Sequence, residues 1–383
     1  MRILHLITSG TTEACHTTLA FVADLLQQSS THDVSVYVVG GKNAVRTASI
    51  VGIYNAEWIR GPLGKAWSSV HQLAGQIASN KTPFDVIHAW SVESMMLAAL
   101  ACPKTPCVAS LLHPIQIPTP IRWCPRRFLP RRCHVIAGQP SIADQAKWLR
   151  LSTDSISIQR PTVSLHRLTK LQRSELRERW GVTNDELVAC VIGDPIEAAN
   201  AFKGYWTIAL ASETGRPIKL LSSNRSAGLD RGKRILLASE REHMLLLDDA
   251  LDTPWTSLAA CDVAMCLGNS PTNPAQGNTS GSLVAADGGL SLRWAMAAGL
   301  PIVGEPTPAF STVIQHEKTG LVAKSCRPRD IAVEVCRIAD DRALAGRLAR
   351  SARMFANFGG NARTYSEHCN RVYANMVQTA AIA

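Results

Sequence analysis

Lys203 stands directly before Gly204, after the strand-like run Leu187–Ile192 and where a helical pattern opens. A lysine beside a glycine at a strand-to-helix junction can neutralise a phosphate group. The glycine lets backbone amides approach closely, and a helix N-terminus favours negative charge. The plain alternative is a solvated lysine at a helix start. Two other junctions carry related residues. Gly10 and Thr11 follow the first strand-like run and precede a helical pattern, so Thr11 or Thr12 can offer a hydroxyl and an amide. Asp287, Gly288 and Gly289 precede a helix opening near Leu290. The glycines fit a loop whose amides meet a ligand, and Asp287 taken alone reads as a turn aspartate. His113 follows the strand-like Cys107–Leu111, a place where a lone histidine is either structural or turned toward a ligand.

A second kind of chemistry lies in "IRWCPRRFLPRRC", Ile121–Cys133. Arg122, Arg126, Arg127, Arg131 and Arg132 alternate with Trp123 and Phe128, and Pro125 and Pro130 argue against a regular helix. Guanidinium forks bind phosphate, and the aromatic rings suit a lipid interface. The segment reads either as a contact for an anionic membrane surface or as a solvated basic loop. Nucleic acid is not an expected partner, because no RNA-binding motif accompanies the arginines. The chain has 11 cysteines but no CxxC and no Cys/His group at zinc-finger spacing. Reduced, mostly buried thiols are expected, and no metal site.

These residues need strands and helices to hold them. Strand-like runs fall at Arg2–Thr8, Asp33–Val39, Phe84–Ala89, Cys107–Leu111 and His134–Ala137, with helical patterns at Glu13–Gln28 and near Ser94–Ala101. The alternation predicts a parallel sheet with helices on both faces, and ligands at the carboxyl ends of its strands. Near Arg160 the pattern breaks into a polar, basic link followed by a helix ending near Gly181. It then restarts, with strand-like runs at Leu187–Ile192, Ile218–Ser222, Met244–Leu247, Val263–Cys266 and Pro301–Gly304. Amphipathic helices are expected at Arg329–Ile338 and Ala343–Met354, and another from about 362 to 377 after a glycine break. The segment Gly268–Ser282, rich in Asn, Ser, Thr, Gly and Pro, reads as a surface insertion or as a lid.

The length of 383 residues suits two domains. We place them at residues 1–165 and 166–361, with a helix of about 362–383 packing back on the first. Hydrophobic content of 46% and charged content of 18% suit a globular chain, and no apolar run is long enough to span a membrane. The opening "MRILHLITSG" reads as a strand rather than a signal peptide, so a cytoplasmic location is expected. The net charge of +10 falls mainly in the first half and favours anionic partners.

Taken together, the chain resembles glycosyltransferase family 4, the group 1 retaining glycosyltransferases. "AMAAGLPIVG…TVIQHEKTGLVA" (Ala295–Ala323) looks like that family's "EAMAAGLPVVA…EVVEDGETGLLV". Supporting pieces are Phe84–Ala101, His134–Asp144, "LRERWGV" (Leu176–Val182) and "LAACDVAMCLG" (Leu258–Gly268). The resemblance implies an α/β chain of GT-B type with two facing Rossmann-like domains. It implies transfer of a sugar from a nucleotide-sugar donor to a glycan or lipid-linked acceptor, in cell-envelope polysaccharide synthesis and without metal or other cofactor. The diphosphate leaving group would then be stabilised by cations and oriented amides.

The resemblance also assigns residues. Lys203 matches the lysine that holds the diphosphate, while Asp194 occupies the position of the partner arginine and reverses its charge. Asp287, allowing one deleted residue, takes the place of one of two donor-gripping glutamates, with Gly288 and Gly289 beside it. Trp294 takes the place of the other. Tryptophan accepts no hydrogen bond, so it either packs on a ring of the donor or fills the vacated space. Gly10 and Thr11 correspond to the glycine-rich donor loop, and His113 to a histidine that lines the sugar pocket. Pro308–Ala309 replaces a glycine pair. With so many departures, a non-catalytic relative that binds ligands or pairs with an active enzyme is the alternative.

Overall fold

The computed structural model describes residues 1–8, 12–28, 32–40, 56–60, 66–79, 82–112, 129, 132–163, 173–183, 185–192, 198–222, 229–248, 258, 260–267, 290–311, 313–358 and 362–382. These form two compact units, Met1–Thr162 with Gly360–Ala383, and Val163–Gly359.

The first unit runs β1 (Arg2–Thr8), α1 (Thr12–Gln28), β2 (Asp33–Gly40), β3 (Ala56–Arg60), α2 (Ala66–Ser79), β4 (Val86–Ala89), α3 (Val92–Ala101), β5 (Cys107–Leu111), β6 (Cys133–Ala137), α4 (Pro140–Ala146) and β7 (Ile156–Ile158). Its sheet has the order β3-β2-β1-β4-β5-β6-β7, and every pairing is parallel. Ile3, Leu4, Leu6 and Ile7 are all buried, as a strand covered on both faces requires. The order reverses between β1 and β4, which makes the crevice beyond their carboxyl ends the natural ligand position. There α3 opens on a capping box. The Ser91 hydroxyl accepts from the Ser94 N–H at 3.0 Å, and the Ser94 hydroxyl accepts from the Ser91 N–H at 2.8 Å.

The second unit runs α5 (Arg173–Arg179), β8 (Leu187–Val191), α6 (Ala198–Ser212), β9 (Ile218–Ser222), α7 (Leu229–Ala238), β10 (Leu245–Leu247), β11 (Val263–Cys266), α8 (Leu290–Ala298), β12 (Ile302–Gly304), α9 (Pro308–Ser311), β13 (Leu321–Val322), α10 (Pro328–Asp340) and α11 (Arg342–Phe358). Its parallel sheet has the order β10-β9-β8-β11-β12-β13, reversing between β8 and β11. Arg177, in the motif Leu176–Val182, is buried and locks α5 to this sheet. It donates to the Asp262 carboxylate at 2.9 Å and to the carbonyls of Ala260, Thr183 and Glu186 at 3.2, 2.7 and 2.5 Å.

The last helix, α12 (Ala362–Ile382), belongs to the first unit. Tyr365, Cys369, Val372 and Tyr373 make its buried stripe at helical spacing. Tyr365 meets Phe21 of α1 edge-on at 5.1 Å.

The α/β class and the parallel sheets follow the alternation in the sequence. The strands that the alternation misses are β3, β7 and β13, and each lies at a sheet edge. β7 is three residues, none of them buried, and β13 is only two, too short to read as a run although Leu321 is buried. Helix α2 is also beyond the expected set, because serine and glycine dilute its buried positions Val70 and Leu73.

Candidate functional site

Helix α6 follows β8 and packs on the sheet, lying against β9, with Gly204 facing the ends of β8 and β11. Gly204 sets its depth. A Cβ there would lie 2.8 Å from Val191 Cγ2 on β8, with Leu267 and Met265 next nearest. The helix thus rides against the sheet at the one residue without a side chain.

That approach carries Lys203 inward. Lys203 is 6% exposed and lies in the second turn of α6, away from solvent. Its Nζ donates to Glu305 Oε1 at 2.9 Å. Glu305 comes directly after β12 and is 1% exposed. Its N–H donates to the Cys266 carbonyl at the end of β11, at 3.2 Å. A Cβ on the preceding Gly304 would stand 2.4 Å from the Phe310 ring, so that ring covers the strand end only because Gly304 is bare. The pair therefore sits where the carboxyl ends of β8, β11 and β12 converge, the ligand edge of a doubly wound sheet.

Two details mark this pair. Glu305 Oε2 is buried and receives no N–H or O–H hydrogen bond among the described residues. The Cys326 thiol stands against the same carboxylate and is pushed above its ordinary range, by burial first and by the Glu305 charge second. Glu305 was not among the sequence candidates. The signal in the sequence is an acidic residue directly after the strand of "AMAAGLPIVGE".

Of the other candidates, Trp294 is 4% exposed, inside the apolar body of α8 beside buried Arg293. Arg132 is half-buried at the start of β6, and its carbonyl accepts from the Cys107 N–H at 3.0 Å. Gly10, Thr11, His113, Arg122, Trp123, Arg126, Arg127, Phe128, Arg131, Asp194, Asp287, Gly288 and Gly289 lie outside the described residues, as does the segment 268–282. Among the described residues no group of three His, Cys, Asp or Glu side chains is placed to hold a metal ion, and no helix is long and apolar enough to cross a membrane.

The first unit holds a buried polar network that the sequence reading did not anticipate. His88 Nδ1 bonds the Tyr373 hydroxyl, and its Nε2 bonds Ser110 Oγ at 2.7 Å. The Tyr365 hydroxyl donates to the same Ser110 oxygen at 2.8 Å. Trp90 Nε1 donates to His5 Nδ1 at 3.0 Å, and its ring stacks on His88 at 4.2 Å. One neutral imidazole tautomer satisfies both His88 bonds. Burial drives His5 down to about 3, and burial and then the neighbouring His5 drive His88 well below 6.5. The network ties α12 to β4 and β5, so it is a structural joint.

Two parallel α/β units, each reversing strand order at its first strand, make this a doubly wound protein of the GT-B type. Comparison with solved structures bears on that fold alone. Anabaena HepE in complex with UDP and glucose superposes with a TM-score of 0.73 at 15% identity, covering 98% of this chain and 100% of that one. A glycosyltransferase from Rickettsia africae gives 0.69 at 12% identity, with 98% of each chain covered. Sucrose-phosphate synthase from Thermosynechococcus elongatus gives 0.68 at 14% identity, covering 99% of this chain and 100% of that one. No protein-family model matches the chain, and no curated protein matches it in sequence.

Proposed function

We propose that the protein is a glycosyltransferase of the family 4 type, moving a sugar with retention from a nucleotide-sugar donor to a glycan or lipid-linked acceptor of the cell envelope. The observation that carries this reading is the buried Lys203–Glu305 pair at the carboxyl ends of β8, β11 and β12. A cation and a carboxylate side by side match a ligand that carries both phosphate and hydroxyl groups. HepE, of like fold, is complexed with UDP and glucose, which supports a nucleotide-sugar in the same architecture. Lys203 would meet the diphosphate, and Gly288, Gly289, Gly10 and Thr11 would offer amides to the donor. Asp287 would take donor hydroxyls, Trp294 would shape the pocket wall, and His113 would line the sugar side. No metal takes part in this scheme, since the cation and amides supply the positive charge. The segment Ile121–Cys133 would hold the protein on the anionic inner face of the cell membrane.

Calorimetric titration with UDP, GDP and ADP, and transfer assays with the matching sugar nucleotides, test the reading. Binding of one nucleotide with sugar transfer supports it. Full activity after Lys203→Ala would remove Lys203 from its role. A second reading is a non-catalytic binding or partner protein. Two features favour it: the Lys203 charge is already matched by Glu305, and buried Trp294 stands where the resemblance places a carboxylate. Nucleotide binding without turnover, or no binding, would favour this alternative.

A further inference from the structure

The oxygens of a carboxylate buried in a folded protein as a rule each meet a hydrogen-bond donor. Glu305 meets that condition by half. Oε1 accepts from Lys203 Nζ at 2.9 Å, whereas Oε2 receives no N–H or O–H bond among the described residues, and the other neighbour of the carboxylate is the weakly donating Cys326 thiol. The shortfall lies at the ligand edge of the sheet, one residue beyond β12 and bonded through its N–H to the end of β11. A buried acceptor left open next to a cation is matched by a ligand that brings a hydroxyl donor and an anionic group together.

We propose that Glu305 is a ligand-binding and specificity-determining residue. Its Oε2 accepts a hydrogen bond from a hydroxyl of a phosphorylated carbohydrate, while Oε1 holds Lys203 against the phosphate. The proposal rests on the nucleotide-sugar reading above and adds a residue that the sequence resemblance does not assign. In that role Glu305 supplies a carboxylate in the unit where Trp294 supplies none. The pairing also sets selectivity. Lys203 alone would attract any anion. Lys203 tied to Glu305 presents little net charge, so a bare phosphate gains little, and a ligand with both groups gains twice.

The hydroxyl has two sources, the ribose of the nucleotide or the sugar it carries. Calorimetry on the full chain separates them, using UDP, GDP, ADP and their glucose conjugates, the dideoxyribose form of whichever nucleoside diphosphate binds, and inorganic pyrophosphate. In the native protein one nucleoside diphosphate or its sugar form should bind more tightly than pyrophosphate. Glu305→Gln keeps the size but removes the charge-assisted acceptor. It should weaken the hydroxyl-bearing ligand by about tenfold, while pyrophosphate binds unchanged or more tightly as Lys203 is released. If the variant's loss disappears with the dideoxy nucleotide, the ribose is the partner. If it appears only with the sugar conjugate, the sugar is.

Equal tightening of all ligands would reduce Glu305 to a neutraliser of Lys203 and overturn the proposal. Equal affinities in native and variant protein would also overturn it. In both cases the nucleotide-sugar reading would stand, because the native protein bound its ligand. Failure of the native protein to bind any of these nucleotides would overturn both. Should Glu305→Gln not fold, the native protein still gives an answer. Cys326 stands against Glu305, so the bound nucleotide should slow its alkylation by iodoacetamide, mapped by mass spectrometry. An unchanged alkylation rate at saturating ligand would overturn the proposal.

Discussion

Lys203 Nζ lies 2.9 Å from Glu305 Oε1, and both side chains are closed off from solvent, at 8% and 1% exposure. A pair this buried is asymmetric in its energetics. Removing one partner strands the other charge and costs about 3–5 kcal/mol, whereas replacing both with apolar side chains of similar volume is close to neutral. Lys203→Met and Glu305→Leu should each lower the denaturation midpoint strongly, and the double variant should recover most of the loss. Nucleotide binding should stay weakened in the double variant despite the recovered stability. A double variant no more stable than the singles would mean that the pair is not a closed electrostatic unit.

The acid side of the stability profile should be governed by the first unit. His5 and His88 are held neutral by burial, with His5 at about 3 and His88 well below its ordinary 6.5. Above pH 6.5 neither the folded nor the unfolded chain protonates them, and their contribution is constant. Below 6.5 the unfolded chain takes up protons that the folded chain refuses, so stability falls with pH. The slope is about 1.4 kcal/mol per pH unit for each such histidine and persists down to the folded-state value. His134 and His368, also lowered but half-exposed, add a smaller share in the same direction. Glu186 and Glu317, held low by their partners, act only nearer pH 4.5 and below. Urea denaturation between pH 7.5 and pH 5.0 therefore isolates the histidines, and a flat profile there would contradict their burial.

The same network makes the C-terminal helix a part of the first unit. Tyr373→Phe deletes the hydroxyl on His88 Nδ1, and Tyr365→Phe deletes the donor to Ser110. The first leaves buried His88 Nδ1 without its partner, a loss of about 1–3 kcal/mol, and the second leaves Ser110 with His88 alone, a loss of about 1 kcal/mol. Glu367→Ala, on the outer face, removes only the exposed pair with Arg363 and should leave the midpoint unchanged. Parallel melts of the three variants check this. Equal effects from the buried and exposed sites would deny α12 its anchoring role.

How far the sequence revealed this arrangement depends on burial. Strands β1, β5, β9 and β11 lie on apolar-rich runs, because a strand covered on both faces must be largely apolar. The edge strands β7 and β13, of three and two residues, are too short to leave a run to read. Lys203 could be singled out from its place beside Gly204 after β8. Its partner could not: Glu305 is 102 residues away in sequence, and only the neighbouring positions of β8, β11 and β12 in the sheet bring the two together. The His88–Tyr373 bond spans 285 residues and was invisible for the same reason. Polar residues in the interior are legible only as pairs, and pairs are made by topology.

Gly204 offers a final test of how the helix positions the site. Alanine is favoured over glycine inside a helix by about 1 kcal/mol. At this position the added Cβ would stand 2.8 Å from Val191 Cγ2, and a β-branched side chain in a buried strand has no free rotamer to move into. Overpacking of this kind costs about 1–3 kcal/mol, so Gly204→Ala should be destabilising on balance. It should also lift α6 and its Lys203 away from the sheet, weakening ligand binding beyond the change in stability. Val191→Ala vacates the contested space. Combined with Gly204→Ala it should restore the midpoint toward that of Val191→Ala alone and recover binding. If binding stays weak after the space is opened, the depth of α6 does not set the position of Lys203.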